Sequence, residues 1–234
     1  MLDCFATTDG DHGVTDVATL TGLSVSTTHR LMRALHAAGL LAQDERTERY
    51  HLGAVLVALG RRAEAHLGFD RLLPHLQALA ARTGESVNLG TRVGDEVLIA
   101  VHVPSSQPLR FDQPEGRRIP IHASAMGKAM LAFAQDPAAE VAALGDLAQF
   151  TGSTLTSTAR LLADLAETRA RGWSMNDGER DPGVRTIGAP LLDTEGRPIA
   201  AVAVQGPAIR MADERLHALT AELLSTTAAV RPML

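Results

Sequence analysis

The chain holds a single cysteine, Cys4, so no disulfide can close within it and a zinc site built on cysteines has too few ligands. Lysine is as scarce: Lys128 is the only one among 22 basic side chains. No run of 18 apolar residues is free of charge, which excludes a membrane-spanning helix. The opening residues, MLDCFATTDGD, carry acid and no basic stretch, which argues against a secretory signal. The expected location is therefore the cytoplasm. Positive charge is short overall, with a net charge of −5 and a pI near 6.0. Such a chain does not grip polyanions with its whole surface, although one module can still carry a local basic patch.

Catalytic and metal motifs are missing too. There is no HExxH and no CxxC, and His29 and His36 lie seven apart on one helical segment. Lys128 follows Gly127, but His122 stands where a phosphate-binding loop needs its first glycine and Ala129 where it needs Ser or Thr. The acid-rich NDGERDPG segment lacks the twelve-residue calcium pattern and reads as a solvated connection. No metal and no cofactor is expected.

What is present is an ordinary core-forming balance over 234 residues, 45% hydrophobic and 21% charged. Residues 1–52 alternate short helical patterns with tight turns. A helix carrying Val17, Ala18 and Leu20 is capped by Thr15 or Asp16, and Gly22 turns the chain with Leu23 as plug. Ser24 reads as the N-cap of a longer helix, VSTTHRLMRALHAAG, with Leu31, Leu35 and Ala38 on its inner face and Gly39 as its stop. LLAQ and YHLG flank the polar tip DERTER as a β-hairpin. This order is a helix-turn-helix followed by a wing. Residues 53–67 form one helix with Val55, Leu59, Ala63 and Leu67 every fourth position.

The DNA reading rests on local charge. Residues 1–67 hold six arginines against eight acids, yet Val17 through Gln43 contains no Asp or Glu. Ser24, Ser26, Thr27, Thr28, His29, Arg30 and Arg33 cluster at the front of the second helix, and Arg46 and Arg49 on the wing. These side chains can donate to phosphates and base edges from a helix laid in the major groove. A helical hairpin packing on a protein partner is the alternative.

LSVSTTHRLMRALHAAGLL followed by YHLG resembles the helix-turn-helix and wing of the IclR family of bacterial transcriptional regulators. RIPIHASAMGKAMLA, TLTSTARLLADLAETRARGWSMN and GVRTIGAPLLDTEGRPIAAVAVQGP resemble that family's effector domain, in order. The resemblance implies an α+β chain with a winged helix-turn-helix domain (1–52), a connecting helix (53–67) and a GAF-like effector domain with an antiparallel sheet (68–234). It also implies dimers, often paired into tetramers. The function it implies is a ligand-responsive DNA-binding regulator, a repressor rather than an enzyme, acting on an operator in double-stranded DNA.

The back module can be read on its own residues. VNLGTR and EVLIAVHV form a hairpin through Val93, Gly94 and Asp95, and PLRFD a shorter strand. A helix opens after Ser124 and another runs from a Thr156 cap to Arg171, with Leu161, Leu162, Leu165 and Ala166 as its stripe and Gly172 as its stop. WSMND, RTIGAPLLD and PIAAVAVQG are further strands, and a last helix carries Leu216, Leu219 and Leu223. In PIAAVAVQG, Ala201, Ala203 and Gln205 share one face, a plausible cavity floor. By resemblance, the family's acidic ligand contact falls on Asn176, an amide in this chain; its small polar contact falls on Thr186 and its last-strand polar contact on Gln205. The ligand's acid group is expected against Ala125 and Met126, where helix N–H groups can hold a carboxylate, with Leu109 and Phe111 as apolar wall. The effector is thus expected to be a small organic acid. Two alternatives stay open: a sensor acting through protein partners, and a small hydrolase or isomerase using His122, Ser124 and Lys128. For Lys128 a structural role, tied to a neighbouring acid, is as good a reading as an anion contact.

Overall fold

The computed structural model describes residues 1–8 and 10–233; Asp9 of the TDGDHG loop and Leu234 lie outside it. Contacts divide the chain into two compact units, Met1–Leu67 and Gly68–Leu234.

The first unit contains α1 (Leu2–Thr7), α2 (Val14–Thr21), α3 (Val25–Ala37), the hairpin β1 (Leu41–Gln43) and β2 (Tyr50–Leu52), and α4 (Val55–Leu67). The start of α2 differs from the expected cap: Gly13 is the N-cap, and the Asp16 carboxylate accepts its N–H at 2.9 Å. Thr15 lies inside the helix. Ser24 does cap α3, its Oγ accepting the Thr27 N–H at 3.3 Å. The inner face of α3 is turned from the one expected. Leu31 and Ala38 are exposed, while Thr28 and Met32 are fully buried against Phe5, Val17, Leu41 and Tyr50, with Leu35 at the edge. Thr28, Met32 and Leu35 make an i, i+4, i+7 stripe as regular as the expected one. Leu23 is exposed rather than a plug.

In the second unit, six antiparallel strands lie in the order β5-β4-β3-β8-β7-β6. They are β3 (Ser86–Val93), β4 (Glu96–Val103), β5 (Arg118–Pro120), β6 (Ser174–Asp177), β7 (Val184–Leu192) and β8 (Pro198–Pro207). Helices cover both faces. α5 (Phe69–Thr83) and α9 (Asp213–Val230) bury one against Ala200, Val202 and Val204. The other lies under α6 (Ala125–Phe133), α7 (Pro137–Ala143) and α8 (Thr158–Arg171), against Ala201 and Ala203. The two-residue alternation along β8 thus separates two cores. α5 and α7 were not anticipated; Pro74 interrupts the pattern of α5, although Leu72, Leu76 and Leu79 give it a continuous buried stripe. α8 is preceded by Ser157 as N-cap rather than Thr156, and buries Thr168 where Ala166 was expected.

PLRFD is not a strand. The Leu109 and Phe111 carbonyls accept hydrogen bonds from the Arg210 guanidinium (2.6 Å) and the Gln205 amide (3.0 Å), so they have no strand partner. Pro108 has no N–H to offer a neighbour. The short strand lies further on, where β5 pairs with β4. Two glycines set the approach of α6 to the sheet. A Cβ on Gly127 would stand 2.0 Å from the Ile121 carbonyl oxygen, and one on Gly188 would stand 2.8 Å from the Ala125 carbonyl carbon. Only hydrogen fits at either position.

Candidate functional site

Each unit carries a candidate site built on the start of a serine-capped helix. In the first unit, the opening turns of α3 face solvent. His29, Arg30 and Arg33 are exposed and make no hydrogen bond or ion pair with any described residue. The Ser24 hydroxyl is shared among the Thr27 N–H, the Thr27 hydroxyl (2.9 Å) and Ser26 (3.2 Å). Asp16 on α2 is held by Arg49 at 2.7 Å, and Arg49 also reaches the Asp11 carbonyl at 2.9 Å. Asp16 is kept below the usual carboxylate range by the Gly13 N–H first and Arg49 second, so it stays ionised and paired. Arg49 therefore fastens the wing to α2. Arg46 stands exposed on the wing turn, which Asp44 holds by accepting the Arg46 and Thr47 amides. Thr28 cannot touch a duplex: it is fully buried and its hydroxyl has no partner among the described residues. The cause is the turned face of α3.

In the second unit, a narrow cleft of about 20 Å³ opens between the start of α6 and the ends of β6, β7 and β8. Asn176, Thr186 and Gln205 form one row across three strands, since Asn176 pairs with Thr186 and Thr186 with Gln205 in the ladder. All three line the cleft, as do Ala125 and Met126. Leu109, Phe111 and Ala203 do not line it. Leu109 is 65% exposed, Phe111 serves through its backbone carbonyl, and Ala203 is buried under α6.

The cleft's polar groups are partly committed. The Asn176 amide donates to the Ala123 carbonyl at 2.5 Å and accepts the Glu179 N–H at 3.0 Å, tying the entry of α6 to the 177–183 loop. The Ser124 hydroxyl accepts the Gly127 N–H at 3.1 Å, and the Lys128 N–H bonds the Ser124 carbonyl. That leaves the Ala125 and Met126 N–H groups of the first turn without an acceptor among the described residues.

Sequence reasoning missed Gln113, Arg180 and Asp181 in the wall. NDGERDPG is not a solvated connection: Glu179 is buried and meets Lys128 at 2.5 Å, while Thr151 and Thr154 hydroxyls donate to the Glu179 carbonyl. Burial pushes Glu179 above the usual carboxylate range, and Lys128 partly offsets it. The signal was the pairing of a lone lysine with a polar loop that could satisfy it. Lys128, 1% exposed, also lies 3.1 Å from Asp164, which makes it a structural ion pair. His122 faces the Ala148 carbonyl at 3.0 Å, so His122, Ser124 and Lys128 do not assemble a nucleophile and base. Among the described residues no cluster of His, Cys, Asp and Glu could hold a metal. Among those residues, too, no helix is long and apolar enough to cross a membrane.

Residues 69–231 match the C-terminal domain of the bacterial transcriptional regulator IclR, and residues 1–45 match the IclR helix-turn-helix domain. The chain belongs to the IclR family. IclR-family relatives include the HTH-type transcriptional regulator BhcR of Paracoccus denitrificans, 37% identical over 94% of this chain and 79% of that protein. Another is the transcriptional repressor IclR of Escherichia coli, 32% identical over 92% and 80%. Among solved structures, Thermotoga maritima IclR has a TM-score of 0.72 at 25% identity, covering 99% of this chain and 94% of that one. An IclR homologue from Microbacterium hydrocarbonoxydans, complexed with 4-hydroxybenzoate, shares the fold with a TM-score of 0.80 at 21% identity, covering 100% and 95%. As an IclR-family member, the chain is a DNA-binding transcriptional regulator.

Proposed function

We propose that this regulator represses transcription as a homodimer on a palindromic operator, and that a small organic acid in the cleft changes its affinity for that operator. The observation that carries the DNA half is the unspent charge on α3. Arg30, Arg33 and His29 are exposed beside Ser26 and Thr27, with no acid among the described residues to neutralise them. Ser24, Ser26 and Thr27 meet the backbone, His29 the groove, and Arg30, Arg33 and Arg46 the flanking phosphates. Arg49 acts indirectly by holding the wing.

The dimer rests on α4. None of its residues is buried, and Val55, Val57, Leu59 and Leu67 are exposed large hydrophobics. A second copy of the same helix covers such a face and sets the spacing of two reading heads; pairs of dimers give the tetramer. The carboxylate reading is supported by the Ala125 and Met126 N–H groups at the positive end of α6. The effector favours one conformation of the sensor unit and thereby one spacing of the heads. The chain acts by binding and not by turnover, on chromosomal DNA in the cytoplasm.

Fluorescence anisotropy with the DNA flanking its own coding region tests the reading. Arg30→Ala weakens binding and lowers the slope of log K against log salt by about one unit. An unchanged slope removes Arg30 from the phosphate contact. Calorimetry with a panel of small carboxylates tests the cleft, and silence across the panel contradicts it.

A further inference from the structure

The cleft holds a charged group that the fold has left half used. Arg180 sits in the loop between β6 and β7, its side chain only 10% exposed. Its Nε and Nη2 both donate to one oxygen of Asp181, at 2.6 Å each. Its Nη1 is buried and has no partner among the described residues. A buried guanidinium N–H without an acceptor is costly, and native structures rarely leave one without reason. Burial disfavours the Arg180 cation, Asp181 offsets part of that, and the positive charge of Arg117, just before β5, adds a smaller repulsion. Across the same cleft, the Gln113 Oε1, on a side chain 4% exposed, is a buried acceptor that also lacks a partner.

These groups define a complement. Asp181 cancels the Arg180 charge, and what remains in the wall is the unpartnered Nη1 and the partial positive charge at the start of α6. Nothing else in the cleft wall is negative. The site therefore lacks one acceptor, for the Arg180 Nη1, and one hydrogen-bond donor, for the Gln113 Oε1.

We propose that Arg180 is the charge-reading residue of the cleft, and that the ligand is a small hydroxy-carboxylate whose carboxylate takes the Arg180 Nη1 while its hydroxyl donates to Gln113. This rests on the cleft being the effector site and adds the acceptor and donor that the effector must carry. Asp181 acts as a resident counter-ion: it keeps Arg180 soluble within the fold when the cleft is empty and competes with the ligand for the guanidinium. A bidentate or charge-assisted bond to a buried guanidinium discriminates strongly against a neutral isostere.

The test uses the full chain and isothermal calorimetry with 4-hydroxybenzoate, glycolate, glycerate and 3-hydroxybutyrate, each beside its primary amide. The expected result is that at least one acid binds and its amide binds at least tenfold more weakly. Arg180→Gln then lowers affinity for the acid at least tenfold and abolishes the preference over the amide. Asp181→Asn raises affinity for the acid, because its competitor is gone; this variant guards against reading a folding defect as a lost contact, since it predicts a gain. Acids and amides binding alike, or Arg180→Gln binding the acid as the parent does, overturns the role of Arg180 while leaving the cleft as the effector site. If neither class binds the parent, the effector reading of the cleft falls, and this inference with it.

Discussion

Two helices in this chain begin in the same way and end up with different tasks. Ser24 caps α3 and Ser124 caps α6, each hydroxyl accepting the N–H of the third helical residue. The residue at that third position separates them. In α3 it is Thr27, and the turn stands in solvent. In α6 it is Gly127, and the turn is pressed against Ile121 on one side and Gly188 on the other. An open, positively charged helix start can lie along a polymer. A buried one admits only what fits a cleft. The local signal sets the cap, and packing sets the class of ligand.

The contrast can be broken first at its buried end. Lys128, in the second turn of α6, answers Glu179 and Asp164. Lys128→Met leaves two acids facing each other without a cation and lowers the unfolding free energy of the sensor unit by about 3–5 kcal/mol at pH 8. The loss shrinks at pH 5.5. Glu179 already sits above the usual carboxylate range, and without Lys128 it rises further, so acidification neutralises the charge that burial penalises. Urea unfolding at the two pH values measures this; a loss that grows on acidification contradicts it.

Gly127→Ala places a methyl group against the Ile121 backbone oxygen and costs about 3 kcal/mol. Differential scanning calorimetry should show the fall in the transition of the larger unit. Ser124→Ala removes the acceptor of a buried N–H and costs about 2 kcal/mol, whereas Ser24→Ala, at an exposed cap, costs about 1 kcal/mol. Equal costs for the two serines, measured by chemical unfolding, would erase the distinction drawn between them. The smallest effect belongs to Thr27→Ala, which shifts stability by no more than about 0.5 kcal/mol yet weakens DNA binding in the anisotropy assay.

Much of this was legible in the chain. The hairpin turn at Gly94, the stop at Gly172, the Ser24 and Ser124 caps and the alternation in β8 are local signals, and local chemistry decides them. The phase of α3 was not legible. Leu31, Leu35 and Ala38 compete with Thr28, Met32 and Leu35 for the inner face, and only the shape of the core around Tyr50 and Phe5 decides between them. The cleft was half legible. Asn176, Thr186 and Gln205 follow from strand positions that a family pattern marks. Gln113, Arg180 and Asp181 lie in loops whose polar composition reads as solvent-facing; partners far away in sequence, Lys128, Thr151 and Thr154 among them, fold the 177–183 loop inward. PLRFD has strand-like residues but spends its carbonyls on Arg210 and Gln205.

Hydrogen exchange followed by mass spectrometry tests the division of labour most directly. The full chain is compared free, with the DNA flanking its coding region, and with whichever hydroxy-carboxylate calorimetry selects. Protection of the 24–33 segment by DNA alone, and of the first turn of α6 around Ala125 and Met126 by the acid alone, is the predicted outcome. Direct protection of the α6 turn by DNA with no change at α3, or of α3 by the acid with no change at α6, would contradict it.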